Sequence, residues 1–198
     1  FFNSKTRIAE QILPPEHWAS IPLEAINFNQ NKAAEIIKEI SPNSRITLTY
    51  KTSTDPFRIK IATIIQEQLA DVGIDLKIKS LDWGTYFRDI QAGNFQLYSL
   101  TWVGIRSPEI YEKIFSSDYI PPKGLNRGGY SDLSMDLYLS KAKINNDWSN
   151  VIHEARAQLG FIPLWYEGNY AAFRNSIINF EIYSNGNWDG LKSVKKIL

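Results

Sequence analysis

The 198-residue chain carries 22 basic and 21 acidic residues, so no broad electrostatic field favours nucleic acid or an anionic membrane surface. Cysteine is absent, which excludes disulfides, thiolate nucleophiles and cysteine-based metal sites. No apolar run approaches the roughly 20 residues of a membrane-spanning helix, while six Trp, ten Tyr and ten Phe supply rings for a core and for stacking on a ligand.

The chain opens on Phe1-Phe2-Asn3, with neither an initiator Met nor a basic-then-apolar leader, and reads as a fragment or a piece cut from a longer precursor. As far as about Ser41 it is loop-rich, with Pro14-Pro15 and Pro22. One helix is predicted over Asn31–Ile40, capped by Asn29 or Asn31 and striped by Ala33, Ile36, Ile37 and Ile40. Arg45–Tyr50 alternates apolar and polar residues, as a half-buried strand does. Asp55-Pro56 then opens a helix as N-cap and first residue, with Ile61, Ile64, Ile65 and Leu69 inward and Gly73 ending it.

Ile74, Leu76 and Ile78 alternate with polar residues in a second strand. A helix over about Asp82–Ala92 is closed by Gly93, and Phe95–Trp102 reads as a third strand. This β-α-β-α-β order implies parallel strands with right-handed crossovers, an α/β fold. Loops at the carboxyl ends of such strands form ligand crevices. The third strand delivers Trp102, Gly104 and Arg106 to one of them.

Beyond Pro108 the pattern changes. Glu109–Phe115 is a short helix and Tyr119–Gly129 a Pro/Gly-rich loop; Ser131 or Asp132 caps a helix running to Ala142. Asn146 or Asp147 starts another, buried along Trp148, Val151, Ile152, Ala155 and Leu159. Phe161–Tyr166 and Tyr170–Phe173 read as strands around a turn at Gly168-Asn169. A polar tail follows Ile177 and ends in a basic patch at Lys192, Lys195 and Lys196.

Catalytic chemistry finds little support. The two histidines, His17 and His153, lack partner spacing for a metal or a serine nucleophile, and Gly128-Gly129 follows no strand and lacks phosphate-loop spacing. Asp82, Asp89, Glu109 and Glu112 lie mostly on helix faces, where solvated or capping carboxylates are the rule. The chain therefore reads as a recognition module, not an enzyme, with no cofactor. Trp102 is either a core plug or a ligand contact, Gly104 permits close approach, and Arg106 offers a planar donor fork suited to carboxylates. Asn126, Arg127 and Tyr130 form a second polar-aromatic cluster, and Asp136 is a helix-start charge.

The run from Ile64 to Gly104 resembles the carboxyl-terminal half of oligopeptide/dipeptide-type solute-binding proteins that serve ABC importers. The likeness rests on Gln66, Leu69, Gly73, Ile74, Trp83, Gly93, Asn94, Phe95 and Trp102 in the family's order. It continues in PPKGLNRGGYSDLSMDLYLSKA and FIPLWYEG, and upstream in ILPPEHWA and NKAAEIIKEI, covering nearly the whole chain from about Leu13. The resemblance implies a periplasmic-binding-protein-like lobe, a mostly parallel sheet flanked by helices, from a two-lobed periplasmic or extracytoplasmic receptor. Residues 1–44 would connect from a missing N-terminal lobe, 45–176 form the binding lobe, and 177–198 return toward the missing lobe.

Its partners would be a peptide or other small solute, an ABC permease and that missing lobe, with no nucleic acid. Trp102, Tyr111 and Tyr130 would supply shape-tolerant contact area, and Gly104, Ile105, Arg106, Asn126 and Arg127 would line or orient. Peptide-binding relatives place an aspartate for the peptide amine in the loop after the tryptophan; here Val103–Pro108 holds no acid, and Arg106 favours an anionic group. Hinge closure over the solute is expected, and weak binding by the isolated chain. An alternative is the sensing domain of a transcription regulator with the same fold.

Overall fold

A computed structural model describes residues 7–183 and 187–197, so the Phe1-Phe2-Asn3 start lies outside the described residues. They form two compact units. The first gathers the described parts of Phe1–Glu24, Thr101–Tyr119 and Tyr130–Leu198; the second is Ala25–Leu100 with Ile120–Gly129.

The second unit holds the α/β layer. Helix α1 spans Gln30–Ile40, and of the two expected caps it is Asn29 whose side chain accepts the Lys32 N–H. The helix buries no residue fully: Ile37 is half-buried, while Ile36 and Ile40 are exposed. Strand β2 (Ile46–Ser53) runs three residues past the predicted end and lies at the centre of a three-stranded parallel sheet, between β3 (Ile74–Leu81) and β4 (Leu97–Tyr98). Asp55 caps α2 (Pro56–Ala70) by accepting the Arg58 N–H, with Pro56 in the first turn. Gly73 follows the helix at φ +98°, a backbone state that favours glycine. Strand β3 (Ile74–Leu81) pairs with β2 residue for residue, Ile46 against Ile74 through Ser53 against Leu81. Tyr50, Ala62 and Leu76 form the buried centre, with Leu48, Ile65, Leu69 and Ile78 packed on it.

Asp82 caps α3 (Trp83–Gln91), and Gly93 turns the chain at φ +70°. The third predicted strand shrinks to β4 (Leu97–Tyr98), because side chains take over the ladder at both ends. The Gln96 side-chain carbonyl accepts the Thr49 N–H at 2.7 Å. The Ser99 carbonyl accepts from the Tyr86 hydroxyl at 2.5 Å and Arg58 Nη1 at 3.3 Å, while Tyr50 bonds the Ser99 hydroxyl at 2.6 Å.

The first unit is built on helices. It contains α4 (Ile110–Phe115), a 3₁₀ turn at Ser117–Tyr119, α5 (Leu133–Asn145) and α6 (Ser149–Gln158). Its core joins Leu13, Tyr111, Phe115, Met135, Leu139, Trp148, Val151 and Ile152. Asp132 caps α5, which runs three residues beyond the predicted end to a left-handed Asn146. Asp147 accepts the Ser149 N–H ahead of α6. Leu159, expected inside, sits in the left-handed C-cap of α6 and is 48% exposed, because the helix ends before its periodic position recurs.

The predicted strand over Phe161–Tyr166 is only β5 (Trp165–Tyr166), antiparallel to β1 (Arg7–Ile8). Pro163 has no N–H to extend the ladder. Tyr170–Phe173 is not a strand. The tail pairs β6 (Ile177–Ile178) with β7 (Lys195–Lys196), and a 3₁₀ turn at Asp189–Lys192 ties Lys192 to Asp189 at 2.7 Å.

These units cut the chain elsewhere than at the divisions 44/45 and 176/177, because long-range bonds outweigh sequence continuity. Arg156 bonds the carboxylate and carbonyl of Glu10, and the Tyr166 hydroxyl reaches the Gln11 and Leu13 carbonyls. Tyr111 accepts the Ile12 N–H. The N-terminal segment is thereby locked to residues more than ninety positions away.

Candidate functional site

In the second unit, α3 positions two rings. Its cap starts the helix at Trp83, so Trp83 and Phe87 stand one turn apart on one face, while Tyr86 and Ile90 face the core. Trp83 is 53% exposed and stacks on Phe87 with centroids 5.9 Å apart and planes 22° from parallel. Guanidinium groups flank the pair. Arg58 Cζ lies 5.7 Å from the Trp83 ring, and Arg127 Cζ 5.2 Å from the Phe87 ring. Arg58 is tethered through Nη1 to Ser99, and Arg127 through Nε to the Gln91 side-chain carbonyl at 3.3 Å. This cation–aromatic strip can take a flat or apolar group against its rings and an anion against its arginines.

In the first unit, residues 101–106 have no regular secondary structure. Trp102 and Ile105 pack on the helical core and pin the segment, whereas Val103 is 83% exposed and Arg106 is exposed. Gly104 has φ +71°, and nothing lies within 4 Å of the point where a Cβ would stand, so its backbone is open to approach. His17 Nε2 reaches the Arg106 carbonyl at 3.5 Å while Nδ1 accepts the Ala19 N–H, so both ring nitrogens are used. The Asp189 carboxyl is held below its ordinary range by the Lys192 hydrogen bond, with Arg106 contributing.

Of the remaining sequence candidates, Tyr130 is half-buried with its ring edge-to-face on Phe115 at 5.4 Å. Burial, then the charges of Asp132, Glu154 and Asp136, push its hydroxyl up. Tyr111 and Asn126 are corrected. Tyr111 is 1% exposed, stacked on Phe115, and spends its hydroxyl on Ile12; it is core. Asn126 is fully buried and its carbonyl accepts the Gly129 N–H, so it shapes the turn that carries Arg127. Trp102, Gly104, Ile105, Arg106, Tyr111 and Tyr130 thus belong to the first unit, and Asn126 and Arg127 to the second. Trp83, Phe87 and Arg58 are not among the sequence candidates. The rings carry a signal in the sequence, since Trp83 and Phe87 repeat at i,i+4 on a stripe separate from Tyr86 and Ile90, whereas nothing local marks Arg58.

The four carboxylates weighed for acid–base work have structural partners. Asp82 is held low by the Thr85 N–H it caps, and Asp89 by Lys51 at 2.7 Å. Glu112 pairs with Lys143 and Glu109 with the Ser107 hydroxyl. A separate cleft of about 290 Å³ in the first unit is lined by Glu10, Gln11, Ile21, Leu23 and Tyr166 among others; none of the eight candidates lines it. No helix among the described residues is long and apolar enough to cross a membrane.

The sequence model of bacterial extracellular solute-binding proteins, family 5 Middle, matches residues 1–118. The chain belongs to this family. Among curated relatives, the family-5 chain is 29% identical over 174 residues to Di/tripeptide-binding protein 4 of Pseudomonas aeruginosa, covering 79% of this chain and 32% of that protein. It is 29% identical over 158 residues to the dipeptide-binding protein DppE of Bacillus subtilis, covering 72% and 28%. HbpA2 of Haemophilus parasuis superposes with a TM-score of 0.82 at 19% identity, over 98% of this chain and 40% of that one. A dipeptide-binding protein of Pseudoalteromonas sp. SM9913 in complex with Met-Leu superposes at 0.81 and 19%, over 97% and 40%. The fold is that of these binding proteins. The family-5 chain spans about a third of the length of the curated relatives it matches.

Proposed function

We propose that this chain is part of the substrate-binding component of a peptide-type ABC importer. It acts outside the cytoplasm and captures a peptide or other small solute between two lobes that close about a hinge. Delivery to an ABC permease and the second lobe are parts of this reading. Family-5 membership carries it, and relatives named as di- and tripeptide-binding proteins point the same way.

On the second unit, the surface offered is the exposed Trp83 with the half-buried Phe87, Arg58 and Arg127 around it; on the first, taken by itself, it is the exposed Val103, Gly104 and Arg106, with the half-buried Tyr130 and the pinned Trp102 as support. A strip of rings gives contact area that tolerates many side chains. Fixed guanidinium groups supply orientation. Nothing in this arrangement asks for bond-making chemistry.

Titration of the chain with the dipeptide Met-Leu, followed by tryptophan fluorescence and by the indole N–H resonances, tests the reading. Saturable shifts at the Trp83 indole, lost in Trp83→Ala while the fold is retained, are expected. Absence of saturable binding by Met-Leu and by a pool of di- to pentapeptides, up to millimolar concentration, overturns it.

A further inference from the structure

The supports of the α3 strip all lie within the second unit, and they fix its rings and arginines before any solute arrives. Tyr86 and Ile90 on the inner face of the helix are fully buried. The Asp89 carboxylate in its last turn is held at 2.7 Å by Lys51, whose side chain is 7% exposed. At the helix start Asp82 accepts the Thr85 N–H. Arg58 is tied to the Ser99 carbonyl and Arg127 to Gln91. Trp83 remains 53% exposed on this rigid frame. An indole held in this way has already lost the freedom that binding would otherwise cost.

Charge by itself does little to choose a solute at this end of the strip. Asp55 caps α2 three residues before Arg58, and Asp82 caps α3 immediately before Trp83. A cap hydrogen bond leaves a carboxylate charged, so the two helix starts set two anions beside one guanidinium. Rings are what the strip offers selectively. Arg58 Cζ, the Trp83 ring, the Phe87 ring and Arg127 Cζ follow one another at 5.7, 5.9 and 5.2 Å, a ladder of cation, ring, ring and cation. An aliphatic group laid along it gains buried area alone. An aromatic group gains the same area and adds offset stacking on the indole, together with the attraction of its negative face for a guanidinium.

We propose that Trp83 is a specificity-determining residue, selecting solutes with an aromatic side chain, which extends the ring ladder of α3, over solutes with a saturated side chain of the same size. This rests on the solute-binding reading above and adds the class of side chain. The subsite is complete within the second unit.

Alanine tripeptides carrying phenylalanine, or its saturated counterpart cyclohexylalanine, at the first, second or third position test it. The two side chains have nearly the same reach and apolar area, so the ratio of their dissociation constants isolates the ring. At one position at least, phenylalanine should bind about two- to tenfold tighter, with its ring protons shifted upfield in the bound state. Trp83→Leu, at an exposed position, should bring that ratio to one, and Trp83→Tyr should keep part of it. Phe87→Leu, which leaves the indole but removes the ring it stacks on, should lower the ratio. A merely structural role for Trp83 would change both dissociation constants together and leave their ratio alone. Equal affinities at all three positions, or a ratio that survives Trp83→Leu, overturns the inference while leaving the solute-binding reading standing. If neither these peptides nor Met-Leu bind, both fall.

Discussion

Replacing Tyr111 by Phe distinguishes a core role from a ligand-contacting one at a residue whose type suits either. The ring is 1% exposed and stacks on Phe115 with centroids 6.2 Å apart. Phenylalanine keeps that ring, so no cavity opens and the large penalties of truncation do not arise. What is lost is the hydroxyl that accepts the Ile12 N–H at 3.3 Å. A buried amide left without an acceptor costs about 1–3 kcal/mol. For a chain of this size each kcal/mol corresponds to roughly 2–4 °C in Tm. Tyr111→Phe should thus lower Tm by roughly 2–12 °C and leave the affinity for Met-Leu unchanged within about twofold. Thermal unfolding followed by far-ultraviolet circular dichroism, with a parallel peptide titration, reads both quantities. An unchanged Tm with binding weakened more than tenfold would refute the assignment of Tyr111 to the core.

Alkaline pH should destabilise both units, because burial pushes the Tyr86 and Tyr166 hydroxyls up to about 12 and drives Tyr111 further in the same direction. A phenol that keeps its proton longer when folded contributes stability fully below its unfolded pKa near 10 and loses it as pH rises toward the folded value. The urea midpoint should fall between about pH 10 and 12, and Tyr166→Phe should flatten that fall; a midpoint flat across this window contradicts the burial. Thr52 buries a hydroxyl that has no hydrogen-bond partner among the described residues, so Thr52→Val should leave stability unchanged or raise it by about 1 kcal/mol in urea unfolding. A Cβ at Gly160 would stand 2.6 Å from Tyr130 Cδ2, and Gly160→Ala should displace that ring at a cost of about 1–3 kcal/mol. Tyr130 ring resonances that stay in place would contradict that clash.

The α/β half of this chain is legible in its residues because the controlling interactions there are local. Asp55 and Asp82 announce two helices, Gly73 and Gly93 end them, and period-two alternation marks Ile46–Tyr50 and Ile74–Ile78. Each is a property of a few neighbouring positions, and parallel pairing follows from their order. The helices of the other unit are likewise written in caps and stripes. What the sequence alone leaves open is any competition settled at a distance. Phe95–Trp102 has strand-forming composition along its length, yet the Gln96 side chain and the side chains gathered on Ser99 claim the ladder's hydrogen bonds, and β4 keeps two residues. Tyr111 and Asn126 have residue types that suit recognition, but packing around Leu13 and the turn at Gly129 puts them inside. Trp83, an ordinary first-turn aromatic in the sequence, becomes an exposed rung between Arg58 and Phe87 once α2 and α3 are brought together. Local chemistry fixes which elements form. Which side chains remain at the surface is decided by long-range hydrogen bonds and packing, and no short window of sequence contains both partners.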